Sequence, residues 1–172
     1  MKKFNKLRPL FFLLAIAIFS LPFFKSVDAQ ANEWLEQALG GMAAISAFSA
    51  CQYIGVMADG YENGVYNPND IATRVGALRG GLRVNIKQLR QVQKNVKFDS
   101  SRDKMIMKAF IELFEMIDKE STALINYTRN RNKTELKKFH KFRTESWNRV
   151  VRLLQLGEAT DLLIPGGARL GK

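Results

Sequence analysis

The chain has 172 residues, with 27 Lys and Arg against 16 Asp and Glu, one His and one Cys. That length fits one domain, and the lone cysteine excludes an internal disulfide framework, a C-x-x-C redox pair and a Cys/His zinc site. Hydrophobic residues make up 47% and charged residues 25%, which is globular usage and argues against wholesale disorder.

Residues 1–8 carry Lys2, Lys3, Lys6 and Arg8 and no acid, and residues 10–24 are almost wholly apolar. Ser26-Val27-Asp28-Ala29 follows, with small residues at the −3 and −1 places of a cut after Ala29. A basic start, a short apolar run and small residues together predict a cleaved secretory signal peptide over residues 1–29. The run is shorter than the ~20 residues of a spanning helix. Without those 29 residues the formal charge falls from +11 to +7, because they hold five Lys and Arg and one acid. Export implies an oxidising compartment, secreted or periplasmic, where an unpaired Cys51 could link two chains. The plainer expectation is a small buried residue in a helix. Phe48-Ser49-Ala50-Cys51 lies too far beyond the leader to act as a lipidation box.

The mature chain reads as four helices. The first spans about residues 32–59, with Leu35, Leu39, Met42, Ser46, Ser49, Tyr53 and Val56 expected on its inner side. Residues 37–58 contain no formal charge, a length that could cross a bilayer. Residues 59–70 (DGYENGVYNPND) are turn chemistry. The second helix, about residues 70–98, repeats Ile71, Val75, Leu78, Leu82, Ile86, Leu89, Val92 and Val96 by threes and fours, which predicts one buried stripe. Ser100 and Asp103 suggest a capping box for the third helix. That helix covers about residues 101–129, through Ile106, Phe110, Leu113, Ile117, Leu124 and Tyr127/Thr128. Asn132, answered by Glu135, should start the fourth, which runs through Leu136, Phe139, Phe142/Arg143, Trp147, Val150, Leu153 and Leu154 to Gly157. Residues 158–172 read as an irregular tail. The expected fold is all-α: an antiparallel up-down-up-down four-helix bundle over residues 30–157.

Little in the chain points to catalysis. Read as a calcium loop, residues 59–70 place Asp59, Asn63, Gly64, Asn67 and Asp70 in register, but Tyr61 fails at the third position. A polar interhelical turn is the plainer reading. Tyr53, Tyr61 and Tyr66 could form an aromatic end-pocket, or simply pack the bundle's end. Glu112, Glu115 and Asp118 read as a solvated face beside Lys108 and Lys119. His140 lacks a nucleophile and stands among Lys and Arg. No phosphate loop, Ser elbow or metalloprotease motif is present, so no enzyme, metal or cofactor is expected. Gly40, Gly41, Ala43, Ala44, Ala47, Ala50 and Gly55, with Gly76, Gly80 and Gly81, make smooth faces on the first two helices, suited to packing within the bundle or against a second copy.

The strongest functional signal is electrostatic. Residues 71–98 hold Arg74, Arg79, Arg83, Lys87, Arg90, Lys94 and Lys97 and no acid. At 100° per residue, Arg79, Arg83, Lys87, Arg90, Lys94 and Lys97 share an arc of about 80° beside the apolar stripe. Acids of a neighbouring helix, such as Glu112 and Glu115, could neutralise them within the bundle. Alternatively the strip is exposed and tracks an anionic partner. The expected protein is therefore an exported, non-enzymatic interaction module for an envelope lipid, a polyanion or an acidic protein face. Its charge would suit peripheral membrane contact, and nucleic acid, which fits the charge but not the compartment, is not expected. Two other readings are a membrane-anchored envelope protein using residues 10–24 or 37–58, and a ligand or metal sensor using residues 59–70.

Overall fold

The structure is a computed structural model that describes residues 29–98 and 101–153, with side-chain burial from Gly40 onward. The expected leader, apart from Ala29, and the residues 158–172 tail lie outside the described residues. So do Ser100 and the expected stop at Gly157. The described chain is all-helical: α1 (Ala29–Glu62), α2 (Pro68–Asn95), α3 (Ser101–Asn130) and α4 (Lys133–Leu153), with no strand among the described residues. The chain divides into two units, Met1–Gln37 and Ala38–Lys172. The described part of the first is the opening turns of α1. The second holds everything discussed below.

The first break is shorter than its composition suggests. Residues 59–62 stay helical, and only residues 63–67 form the turn. Asn63 ends the helix by donating both its backbone N–H (3.0 Å) and its side-chain amide (2.9 Å) to the Asp59 carbonyl. Gly64 then takes φ +72°, the left-handed conformation glycine adopts without a Cβ penalty. Asn67 caps α2: its Oδ1 accepts from the Asn69 and Asp70 backbone N–H groups at 2.8 and 3.0 Å, and Asp70 Oδ2 accepts from the Asn67 N–H at 3.0 Å. Pro68 fills the first helical position, where its missing N–H costs nothing. Helix α2 thus begins at Pro68, two residues before the expected start.

Between α3 and α4, Arg131 takes φ +49° and donates its N–H to the Tyr127 carbonyl at 2.7 Å. Asn132 caps α4 as expected, accepting from Thr134 N–H at 2.8 Å. Glu135 does not complete a box; it accepts from Lys138 at 2.6 Å and from Asn126 at 3.3 Å.

The expected stripes of α2, α3 and α4 supply most of the core, with Ile71, Val75, Leu82, Leu89, Phe110, Leu113, Ile117, Leu124, Phe139, Trp147 and Val150 all buried, whereas Val96 and Ile106, at the facing ends of the α2 and α3 stripes, are exposed. Helix α1 is the correction. Ser46, Ser49 and Val56 of its expected inner side are exposed, and Met42 and Tyr53 only half-buried. The buried side is the small one: Ala43, Ala44, Ala47, Ala50, Cys51, Ile54, Met57 and Ala58. Small side chains let neighbours approach the α1 backbone closely enough for Arg143 Nη1 of α4 to donate to the Cys51 carbonyl at 3.5 Å. Phe48 packs beside Trp147, ring centroids 5.5 Å apart.

The glycines behave differently. At Gly40, Gly41, Gly76, Gly80 and Gly81 an added Cβ would meet open space. Close packing within the described chain therefore uses the alanines of α1 and makes no demand on these five glycines.

Candidate functional site

The α2 strip lies beside α3, and acids of α3 reach three of its six cations. Arg79 Nε donates to Asp118 Oδ1 at 3.0 Å; Arg83 reaches the same carboxylate through Nε (3.3 Å) and Nη2 (3.5 Å). Arg90 Nη2 donates to Glu115 Oε1 at 2.5 Å. Glu115 and Asp118 therefore serve α2, where the sequence suggested a self-paired solvated face. Glu112, also suggested as a counter-ion, turns away to Arg149 of α4 at 2.9 Å and to Lys108 at 3.9 Å. The Arg149 hydrogen bond holds the Glu112 carboxyl below the usual carboxylate range.

The lysines are placed otherwise. Lys87, Lys94 and Lys97 are exposed and form no ion pair with a described residue. Arg83, Ile86, Lys87, Arg90, Gln91 and Lys94 line one open groove of about 380 Å³, with Ile86 as its apolar element. Ion-paired arginines and exposed ammonium groups thus line the same groove, a lining whose free charge is positive. Arg74, at the other end of α2, lies outside this set and stacks on the Tyr66 ring, its guanidinium 5.5 Å from the centroid.

The tyrosine end is filled from within. Tyr61 is buried, meets Tyr127 edge-on with centroids 6.3 Å apart, and donates its hydroxyl to the Thr128 carbonyl at 3.1 Å. Arg131 lies 4.5 Å over the Tyr61 ring and 3.5 Å from Glu62. Within residues 59–70, the Asn67 and Asp70 side chains make the α2 cap and the Asp59 carbonyl closes α1. Among the described residues, no group of three or more His, Cys, Asp or Glu is arranged to hold a metal ion. His140 is half-buried beside Phe139, ring centroids 5.6 Å apart.

A buried polar cluster lies elsewhere. Glu120 of α3 is fully buried; Arg143 Nη1 of α4 donates to its Oε1 at 2.9 Å and the Ser146 hydroxyl to its Oε2 at 2.5 Å. Burial pushes the Glu120 carboxyl above the usual carboxylate range, against the pull of Arg143 and Ser146. Burial also pushes the neighbouring Cys51 thiol far up, with the Glu120 charge adding to it. Such a thiol is a poor nucleophile. Sequence reasoning placed Arg143 on the α4 stripe but passed over Glu120. The available signal was an acid three residues after Ile117 and four before Leu124, on the apolar side of α3.

No protein-family model, curated protein or solved structure matches the chain.

Proposed function

We propose that the protein is an exported, non-enzymatic bundle that binds an anionic partner through the outer side of α2. The observation that carries this reading is the set of three exposed lysines, Lys87, Lys94 and Lys97, without ion pairs to described residues, on a helix stretch that holds no acid after Asp70. A merely solvated face would intersperse acids. The arginines at positions 79, 83 and 90, held by Asp118 and Glu115, set the register of the strip against α3 and keep part of their positive potential at the rim. Residues 1–29 fit export by a cleaved leader.

An up-down-up-down course fits the cross-helix pairs. Glu135, Arg143 and Arg149 of α4 meet Asn126, Glu120 and Glu112 of α3, so one numbering rises as the other falls. Arg79 and Arg90 of α2 run opposite to their partners Asp118 and Glu115 in the same way. Tyr61 and Cys51 of α1 lie by Thr128 and Glu120, in the direction of α3.

The test is retention on immobilised heparin, a soluble polyanion stand-in, as salt is raised. Elution should come at high salt for the native chain and near the void for Lys87→Gln/Lys94→Gln/Lys97→Gln, with unchanged helical circular dichroism. Equal retention of the two proteins would overturn the reading.

A second reading draws on one observation. Gly40–Glu62, 23 residues, is the one described stretch long and apolar enough to cross a membrane, although half of its most apolar part is buried inside the protein. Burial of this kind suits a core helix of a packed domain. Carbonate extraction of membranes decides: release into the soluble fraction removes a spanning role for residues 10–24 or 37–58.

A further inference from the structure

The α2–α3 hairpin outruns its own core. The last buried residue of α2 is Leu89 and the first of α3 is Phe110. No described residue between them is buried. Yet this end is not polar: Met105 is 69% exposed, Val96 42% and Ile106 39%, and Val92, Phe98 and Met107 are half-buried. Exposed apolar side chains are common singly, but here several occupy the C-terminal end of α2 and the N-terminal end of α3.

Charge surrounds them. Residues 94–108 carry Lys94, Lys97, Arg102, Lys104 and Lys108 against Asp99 and Asp103. All five basic residues are exposed, and the one ion pair they form with described residues is the long Lys108–Glu112 contact of 3.9 Å. A soluble polyanion would satisfy the cations and leave Met105 and Ile106 in water. An anionic bilayer offers both chemistries at once, a plane of phosphates with hydrocarbon directly beneath it. Lys and Arg suit that geometry, since their stems lie along apolar surface while their heads reach the phosphates.

We propose that this end of the hairpin docks on an anionic lipid bilayer, with Met105 and Ile106 entering the headgroup boundary and Lys94, Lys97, Arg102, Lys104 and Lys108 meeting the phosphates. The proposal rests on the anionic-partner reading, since Lys94 and Lys97 belong to both surfaces, and it names the partner.

Flotation of the full chain with vesicles of phosphatidylglycerol in phosphatidylcholine, against phosphatidylcholine alone, tests it. Residues 1–28 are common to every variant, so differences report on the hairpin end. Met105→Ser/Ile106→Ser should lower affinity for anionic vesicles about tenfold. Lys97→Gln and Lys104→Gln should each lower it about fivefold, less at high salt. Because Met105 is so exposed, Met105→Ser alone keeps the test valid if the double variant does not fold. Met105→Trp should shift its emission to the blue on anionic vesicles and stay unshifted on neutral ones. Variants that float as well as the native chain, or a Met105→Trp emission that does not move, would overturn the proposal. If heparin retention still depends on Lys87, Lys94 and Lys97 in that case, the anionic-partner reading stands and only the bilayer is lost. That outcome would point to an acidic protein, or to another segment of this chain, as what covers Met105. If neither dependence is seen, both readings fall.

Discussion

At the scale of single residues, the decisive group is Glu120. Its carboxylate is fully buried with Arg143 and Ser146 as partners. Glu120→Ala leaves the Arg143 charge in the core with its main counter-ion gone, which should cost about 3–5 kcal/mol by urea unfolding. The pH dependence follows from burial. With the folded-state pKa above its unfolded value of about 4.3, the folded protein holds the Glu120 proton more tightly. The resulting stability is full below the unfolded pKa and is lost as pH rises through the folded one. Glu120→Gln, permanently neutral, should remove that decline. A native–variant difference in unfolding free energy that does not change with pH would contradict it. Cys51 makes a separate prediction. At 2% exposure and with its thiol pKa pushed far up, it should ignore a thiol-reactive dye in native buffer and react fully in urea. An interchain disulfide through Cys51 is accordingly not expected.

At the scale of helices, α2, α3 and α4 were legible because each has one apolar stripe between polar sides, so periodicity identifies the inner face. Helix α1 differs for a physical reason: it is apolar on most sides, so helical spacing alone does not single out the inner face, and the core takes the smooth alanine side where backbones come close. Residues 59–62 were given to the turn because Asp, Gly and Asn there are turn formers, yet tertiary contacts of Tyr61 with Tyr127 and Thr128 hold the helix on to Glu62. The strip on α2 was legible as a run of charge and Glu115 as a counter-ion for it, whereas the division into paired arginines and lysines with no ion pair to a described residue depends also on Asp118, which only the packing of α3 brings near. The glycines offer an element-scale test. Gly80 is exposed within α2 with open space beyond it, so Gly80→Ala should stabilise by about 0.5–1 kcal/mol. Gly64→Ala, at φ +72°, should destabilise by about 1 kcal/mol instead. Thermal unfolding of the two variants reads the opposite signs.

For the molecule as a whole, α3 acts as the counter-charge of α2. Among the described residues, Asp118 is the carboxylate that holds both Arg79 and Arg83. Asp118→Asn should therefore reduce stability by about 1 kcal/mol while raising the salt concentration needed to elute the protein from heparin, since two guanidinium groups return to the strip. A variant that elutes earlier would show that the pinned geometry, and not free charge, is what the polyanion meets. The place where the core stops has a consequence of a different kind, in time. Helix α3 is one continuous element, but no residue of 101–109 is fully buried and only the half-buried Met107 reaches the core, while Phe110 to Thr128 carry most of the packing. Helical hydrogen bonds without tertiary support open by local fraying; those within the packed stretch open only when the bundle does. Amide exchange along this single helix should therefore be fast up to Ala109 and slow from about Leu113 onward. The slow amides should share one opening free energy with the partners of Glu120 on α4, so the clock of the hairpin end runs separately from that of the body that carries it.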